Sequence, residues 1–275
     1  MILDGHIHIQ DGDPEPDTLK TRMDKAQVAG GVLLSQRPAS FSGAMDTPSP
    51  SARLDNLFAW AEAGEEIYPF FWIDPLASDA LRQIDAAVER GVDGFKVICN
   101  RYPAGHPTAM RTFQAIADAE KPILFHSGIL WDGTPSSQYN RPANFEALLN
   151  VRGLRFALAH ISWPWVDECI AVYGKISAAL RRSTEVDVEM FIDTTPGTPT
   201  IYREDALTKL FKVGYDLERN VFFGSDNRAN TYRSEYAADW ARRDAEIIGR
   251  LDLDPDIIDQ VFSDNLRRFV FGPSE

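Results

Sequence analysis

The chain has 275 residues, 44% hydrophobic and 25% charged, enough for one large α/β domain with an ample core. Its 41 acidic residues against 28 basic ones leave a formal charge of −13, which repels phosphate backbones and anionic lipid. That argues against nucleic acid and membrane surfaces as partners; an anionic small molecule would have to be met by local arginines.

Short apolar runs alternate with amphipathic stretches from end to end, the pattern of a parallel sheet wrapped by helices. The first run, 2–8, starts almost at Met1 and carries His6-Ile7-His8. A helix follows, from an Asp17 cap through Leu19, Met23 and Ala26 to Gly30 as its stop. Strand 31–35 precedes a helix with Ser49 as cap and Pro50 in its first turn. Further strands are predicted at 67–73, 94–99, 122–127, 154–161, 188–193 and 220–225. The helices between them fall near 78–90, 108–119, 143–151, 164–182, 203–213 and 233–250. A last helix begins at Asp254-Pro255, covers Ile257 to Phe269, and is expected to pack across the outside or base.

Eight strand–helix units in this length predict a single-domain (β/α)8 TIM barrel over residues 1–275, although an open doubly wound sheet shares the periodicity. No linker, repeat or low-complexity tract marks a second domain. The connections 36–49 and 128–142 both follow strands, so both are expected at the C-terminal mouth as binding walls or lids. Cys99 and Cys169 lie far apart in apolar segments and read as packed free thiols. With no leader ahead of the first strand and no run long enough to span a bilayer, the expectation is a cytoplasmic protein.

Four of the five histidines fall on predicted strands: His6 and His8 on the first, His126 at the end of the fifth and His160 at the end of the sixth. Asp226 ends the eighth. Side chains at i and i+2 of a strand face one way, and in a barrel all strand C-termini meet at one mouth. Taken singly, a strand histidine is more often a hydrogen-bonded core residue, and an Asp after Gly-Ser a turn former. Taken together, imidazoles and a carboxylate converging on one rim suit Zn²⁺ or a similar divalent ion with a position left for water.

In this order the motifs Asp4-Gly-His6-Ile-His8, Phe125-His126-Ser, Ala159-His160-Ile and Gly224-Ser-Asp226 resemble the amidohydrolase superfamily over essentially the whole chain. The ending Asn265-Leu-Arg-Arg-Phe269 resembles that family's final helix. The compact size is similar to the amidohydrolase-related branch, which includes hydrolases and decarboxylases like aminocarboxymuconate-semialdehyde decarboxylase. The resemblance implies a divalent metal on His6, His8 and His126, with Asp226 as fourth ligand or close neighbour. Zinc is the favoured ion, with Mn²⁺ and Fe²⁺ as substitutes. His160 would orient or deprotonate a water whose pKa the metal lowers towards ~7, and Asp226 would pass the proton to the leaving group. Asp4, with the same strand parity as the two histidines, is either a carboxylate fixing an imidazole tautomer or a plain buried hydrogen-bonding group.

Lys96, in an apolar fourth strand, has three readings: a carboxylated bridge to a second metal, a substrate-binding ammonium, or a salt bridge to Asp4 or Asp226. One metal and an unmodified lysine are preferred. Arg37, Arg101, Arg141 and Arg228 are candidates for a substrate carboxylate, Arg228 being best placed, although loop arginines are usually solvated. Trp131, Tyr139, Trp163 and Trp165 are candidate walls, and His106 reads as an exposed loop residue.

The leading expectation is a metal-dependent hydrolase of a small amide, lactone or ester. The alternatives are a non-oxidative decarboxylase using the same ligands and a catalytically silent metal- or ligand-binding barrel. The substrate and the oligomeric state, a homo-oligomer included, are left open.

Overall fold

The first strand, β1 (Ile2–His8), is buried along most of its length and pairs in parallel with β2 (Val28–Leu34). The fold comes from a computed structural model that describes residues 1–41 and 47–273. Further strands follow at β3 (Ile67–Trp72), β4 (Gly94–Val97), β5 (Ile123–Phe125), β6 (Leu154–Leu158), β7 (Val188–Asp193), β8 (Val221–Phe222) and β9 (Asn227–Arg228). These nine strands form one parallel sheet in the order β8-β7-β6-β5-β4-β3-β2-β1-β9, a TIM-barrel-like α/β architecture with flanking helices. Strand β8 pairs with β7 and β9 pairs with β1, so the stretch 221–228 reaches both ends of the sheet. The amide of Gly5 adds a 2.9 Å bond to the Phe223 carbonyl.

The flanking helices are α1 (Pro16–Lys25), α2 (Pro50–Ala61), α3 (Ala80–Arg90), α4 (Pro107–Asp118), α5 (Val166–Arg182), α6 (Thr200–Lys212) and α7 (Ser234–Gly249). Ser49 caps α2 as its sequence suggests, accepting from the Ala52 amide at 3.2 Å. Helix α1 differs from expectation. It starts at Pro16 without a side-chain cap and stops at Lys25, while Gly30 lies within β2. The reason is close strand approach. A Cβ on Gly30 would come within 2.2 Å of the Glu66 carbonyl oxygen, and one on Gly31 within 1.9 Å of the Asp4 carbonyl oxygen. The 143–151 helix is a 3₁₀ segment, Pro142–Asn150. Of the long connection 36–49, residues 42–46 lie outside the described residues.

The C-terminal segment runs through Ile257–Asp259 and a π-helical turn, Gln260–Asp264, into a final helix, Asn265–Phe271. It closes the basal end. Phe269 meets Phe70, Phe191 and Phe222 with ring centroids 6.0, 5.2 and 5.1 Å away. Those rings belong to an inner core with Leu3, Val32, Leu34 and Leu124, while a larger core fills the space between strands and helices. Apolar side chains pack the basal end of the barrel interior, and the buried histidines gather at the opposite end.

Candidate metal centre

Strand β1 does not alternate cleanly. Its pairing with β2 steps from Asp4↔Gly31 to Ile7↔Leu33, three residues against two. This irregularity, a β-bulge, brings Leu3 to the inner core on the same side as His6 and His8, despite opposite parity. Asp4 is thereby turned from the imidazoles. Its carboxylate accepts from the backbone amide of Ser225 at 2.8 Å, the Tyr232 hydroxyl at 2.9 Å and the Ser225 hydroxyl. Asp4 therefore ties β1 to the loop that carries Asp226.

The imidazole of His6 is fixed by a residue that sequence reasoning missed. Asp193, the last residue of β7, places Oδ2 2.6 Å from His6 Nδ1, with both side chains fully buried. Asp193 is itself held by the Thr195 amide at 2.7 Å and the Thr195 hydroxyl. With Nδ1–H donated to a carboxylate, the Nε2 lone pair of His6 faces the mouth. His8 Nε2 lies 3.1 Å from it, and Asp226 Oδ1 lies 3.9 Å from His6 Nε2 and 3.5 Å from His8 Nε2. These ligand atoms all fall within 4.8 Å of one another.

His160 stands beside this triad. His160 follows β6 in a run of left-handed backbone, with φ of 65° at His160, 47° at Ile161 and 55° at Ser162; Asp226 has φ of 55°. Non-glycine residues rarely adopt this conformation, and here it aims both side chains at the mouth. The His160 ring centroid is 5.4 Å from that of His6 and 4.9 Å from that of His126, and its Nδ1 is buried without a protein partner. Gly197 makes the room, since a Cβ there would sit 2.7 Å from His160 Cβ.

A model of the family described as Amidohydrolase matches residues 3–271. The chain belongs to the amidohydrolase family. Among solved structures, a zinc-bound amidohydrolase from Burkholderia multivorans is 12% identical, with a TM-score of 0.68 over 99% of this chain and 100% of that one. A probable 2-pyrone-4,6-dicarboxylic acid hydrolase from Acinetobacter baumannii, with citric acid bound, is 12% identical with a TM-score of 0.64, covering 98% and 99%. The 2,6-dihydroxybenzoate decarboxylase from Rhizobium is 14% identical with a TM-score of 0.63, covering 98% and 97%. No curated protein matches the sequence.

The electrostatics of this amidohydrolase site suit a cation. Burial pushes the His6, His8 and His160 imidazoles well below their ordinary pKa, and His126 down to about 3; the Lys96 charge acts in the same direction on all four. All four rings are therefore neutral at pH 7, with lone pairs to give. The 3.1 Å Nε2–Nε2 separation is close to the about 3.3 Å edge of a tetrahedron with metal–nitrogen bonds of about 2.0–2.1 Å. The donor set fits a divalent ion.

Not every expected residue joins that group. His126 Nε2 is instead 3.2 Å from the Ile129 carbonyl, and the ring lies outside the tight triad of His6, His8 and Asp226. Lys96 is completely buried, with Nζ 3.4 Å from His6 Nε2 and no carboxylate within 4.0 Å among the described residues. Of its three readings, the salt bridge to Asp4 or Asp226 does not form among the described residues. Burial lowers the Lys96 pKa and raises that of Asp226, while the charges of Lys96 and Asp226 oppose both shifts.

Above the triad opens a cavity of about 1000 Å³. His8, His126, His160 and Asp226 form part of its wall; Trp131, Trp163, Arg37 and Arg228 form other parts. Lys96 and Arg101 are not on that wall. Arg101 instead pairs with Asp74 at 2.5 Å, and Arg141 pairs with Glu168 at 2.5 Å. Trp165 stacks under the Arg141 guanidinium at 5.2 Å, and Tyr139 packs against the outer core. His106 caps α4, its Nδ1 accepting from the Thr108 amide at 3.2 Å. Cys99 and Cys169 are both buried free thiols. No helix among the described residues is long and apolar enough to cross a membrane.

Proposed function

We propose that the protein is a metal-dependent hydrolase of a small molecule containing an amide, lactone or ester bond. The observation that carries this reading is the meeting of His6 Nε2, His8 Nε2 and Asp226 Oδ1 at the floor of the cavity, with neutral His160 beside them. In this reading residues 1–275 are a single (β/α)8 domain whose eighth strand is 221–228, interrupted at Gly224-Ser225-Asp226 so that the carboxylate turns inward. His6, His8 and Asp226 hold one divalent cation, zinc in the first instance. His126, with Nε2–H committed to Ile129, has its Nδ1 lone pair for the same ion. Lys96 stays unmodified. The two buried thiols suit a reducing, cytoplasmic compartment.

When bound, such a cation polarises a carbonyl oxygen and acidifies a water molecule. His160, neutral and with its Nδ1 unpartnered, takes the proton of the attacking water. Asp226 relays that proton to the leaving group. Trp163 walls the reacting bond, Trp131 stands exposed at the rim, and Arg228 receives an anionic end of the substrate. The pyrone dicarboxylic acid hydrolase and a dihydroorotase from Campylobacter jejuni share the fold and support hydrolysis.

The dihydroxybenzoate decarboxylase shares it too, so carbon dioxide release is the second reading. The test is metal analysis of the purified protein, followed by a screen of lactones, esters and amides in ¹⁸O-water. Label in the organic product, lost in His160→Asn, is expected. Carbon dioxide release without label would establish the decarboxylase, and a protein that retains no divalent metal would overturn both.

A further inference from the structure

Behind the end of β7, a charged pair is completely buried between the outer helices. Arg203 of α6 and Asp244 of α7 are 0% and 1% exposed. Arg203 Nε donates to Asp244 Oδ1 at 2.8 Å, and Nη2 donates to Oδ2, a two-pronged pairing. A buried ion pair is weak as a stabilising device, because desolvating both charges offsets their attraction. Its worth here lies in what else it holds.

The same Nη2 donates to the backbone carbonyl of Thr194 at 2.5 Å, and the Thr194 hydroxyl lies 3.4 Å from Asp244 Oδ2. Thr194 sits between Asp193, whose carboxylate fixes His6 Nδ1 at 2.6 Å, and Thr195, whose hydroxyl is 3.2 Å from the same nitrogen. All of these residues are 0–1% exposed. An unbroken buried chain thus runs from the helix layer to the imidazole: Asp244, Arg203, Thr194, Asp193, His6.

We propose that Arg203 and Asp244 are positioning residues for the metal centre, clamping the end of β7 so that Asp193 holds His6 in its Nδ1-protonated tautomer. The clamp rests on the reading of His6 as a ligand only for its consequence. The tautomer itself can be observed without any metal. A remote anchor is needed because the ladder ends here: β7 stops at Asp193, and past the Thr194 amide, which bonds the Phe222 carbonyl at 2.9 Å, regular pairing no longer fixes the Thr194 carbonyl or Thr195.

The experiment uses the full chain with ¹⁵N-labelled histidine, in the wild type, Asp244→Asn, Arg203→Lys and Arg155→Met. Arg155 is the control. It bonds the Phe269 and Val270 carbonyls at the basal end, 3.2 and 3.1 Å away, so its loss destabilises the fold far from the mouth. Two readouts are taken on each protein: the His6 ring-nitrogen shifts in metal-free protein, and the zinc dissociation constant by chelator competition.

The wild type is expected to show one Nδ1-protonated His6. Asp244→Asn and Arg203→Lys are expected to show mixed tautomers and zinc binding weakened by about 10-fold or more. Arg155→Met is expected to lower the unfolding temperature with neither readout moved. A His6 signal in Asp244→Asn and Arg203→Lys identical to wild type would overturn the clamp, and so would an equal shift in Arg155→Met. If the wild type binds no zinc, the proposed function fails while the tautomer readout still decides the clamp.

Discussion

Asp193 Oδ2 and His6 Nδ1 lie 2.6 Å apart across the barrel, joining residues 187 positions apart in sequence in one buried hydrogen bond. A neutral imidazole can donate from only one nitrogen, so this bond decides which nitrogen keeps its lone pair. In Asp193→Asn the anionic acceptor becomes an amide that either accepts weakly or donates, and the tautomer is no longer fixed. Zinc affinity is expected to fall by about 10- to 100-fold while the protein stays folded. Competition titration beside a circular dichroism melt checks this. Unchanged affinity would show that packing alone orients the ring.

Much of this centre is legible in the sequence because its residue types are scarce and their positions are punctuated. There are five histidines, and those of His6-Ile7-His8, His126 and His160 lie on or just beyond strand ends. Asp193 was not legible. An acid ending Val188-Glu-Met-Phe-Ile-Asp193 has the signature of many strand ends, and nothing local says that it points at a histidine in the first strand. The one available signal was Thr194-Thr195, small hydroxyl residues able to hold a carboxylate after the strand.

Asp4 takes the second of its two readings, a plain buried hydrogen-bonding group, and the parity that suggested the other is misleading. Counting by twos placed it with His6 and His8, but the bulge in β1 breaks the count, and a single extra residue in a pair is invisible to periodicity. Gly30 was misread for a related reason. Glycine stops helices and also admits a neighbouring backbone, and only the Glu66 carbonyl beside it distinguishes the two uses.

Two glycines at the mouth separate binding from turnover. A Cβ at Gly224 would lie 2.6 Å from Thr195 Oγ1 and 3.0 Å from both Asp193 Oδ1 and His6 Cβ, so Gly224→Ala disturbs the ligand and its support. A Cβ at Gly197 would press on His160 alone among the site histidines, 2.7 Å from its Cβ and 3.0 Å from Cγ. Gly224→Ala is therefore expected to lose metal. Gly197→Ala is expected to keep it while kcat falls at least about 10-fold, since a shift of the order of 1 Å in a catalytic group is that costly. Metal content and steady-state kinetics on the pair check this. A Gly197→Ala protein with wild-type kcat would remove His160 from the mechanism.

Asp93 precedes β4 at the basal end, away from the metal centre, and burial raises its pKa from 3.8 to about 6 despite the charge of Lys121. The native state then holds this proton at pH values where the unfolded chain has lost it. Its contribution to stability falls as pH rises from about 4 to about 6, and the penalty is complete above that range. Asp93→Asn removes the penalty. The variant is expected to match wild type near pH 4 and to exceed it above pH 7 by on the order of 1 kcal/mol, after allowing for partial exposure. Urea unfolding at both pH values gives the difference. A variant less stable than wild type at pH 7.5 would show that the carboxylate is held by a favourable interaction.

Arg53 of α2 is 2% exposed and meets no carboxylate within 4.0 Å among the described residues. Its Nη1 donates to the Gln36 and Trp72 carbonyls at 2.9 and 2.8 Å, and its guanidinium lies over the Phe71 ring at 4.4 Å. Burial pushes its pKa down to about 10, still well above neutrality, so the group stays charged and the carbonyls and ring share its charge. Gln36 and Trp72 both wall the cavity, so this one side chain ties the ends of β2 and β3 at the mouth. Arg53→Met keeps most of the volume but leaves the Trp72 carbonyl without its arginine donor and the Gln36 carbonyl with only the Ser35 hydroxyl, 3.1 Å away. It is expected to cost about 3 kcal/mol, the worth of charge-assisted hydrogen bonds in a dry setting. Arg53→Lys should recover only part of that, because an ammonium cannot reproduce the planar contact with Phe71. Chemical denaturation of the three proteins measures both steps. A loss below about 1 kcal/mol in Arg53→Met would mean that water satisfies the carbonyls and that the arginine is dispensable to the rim.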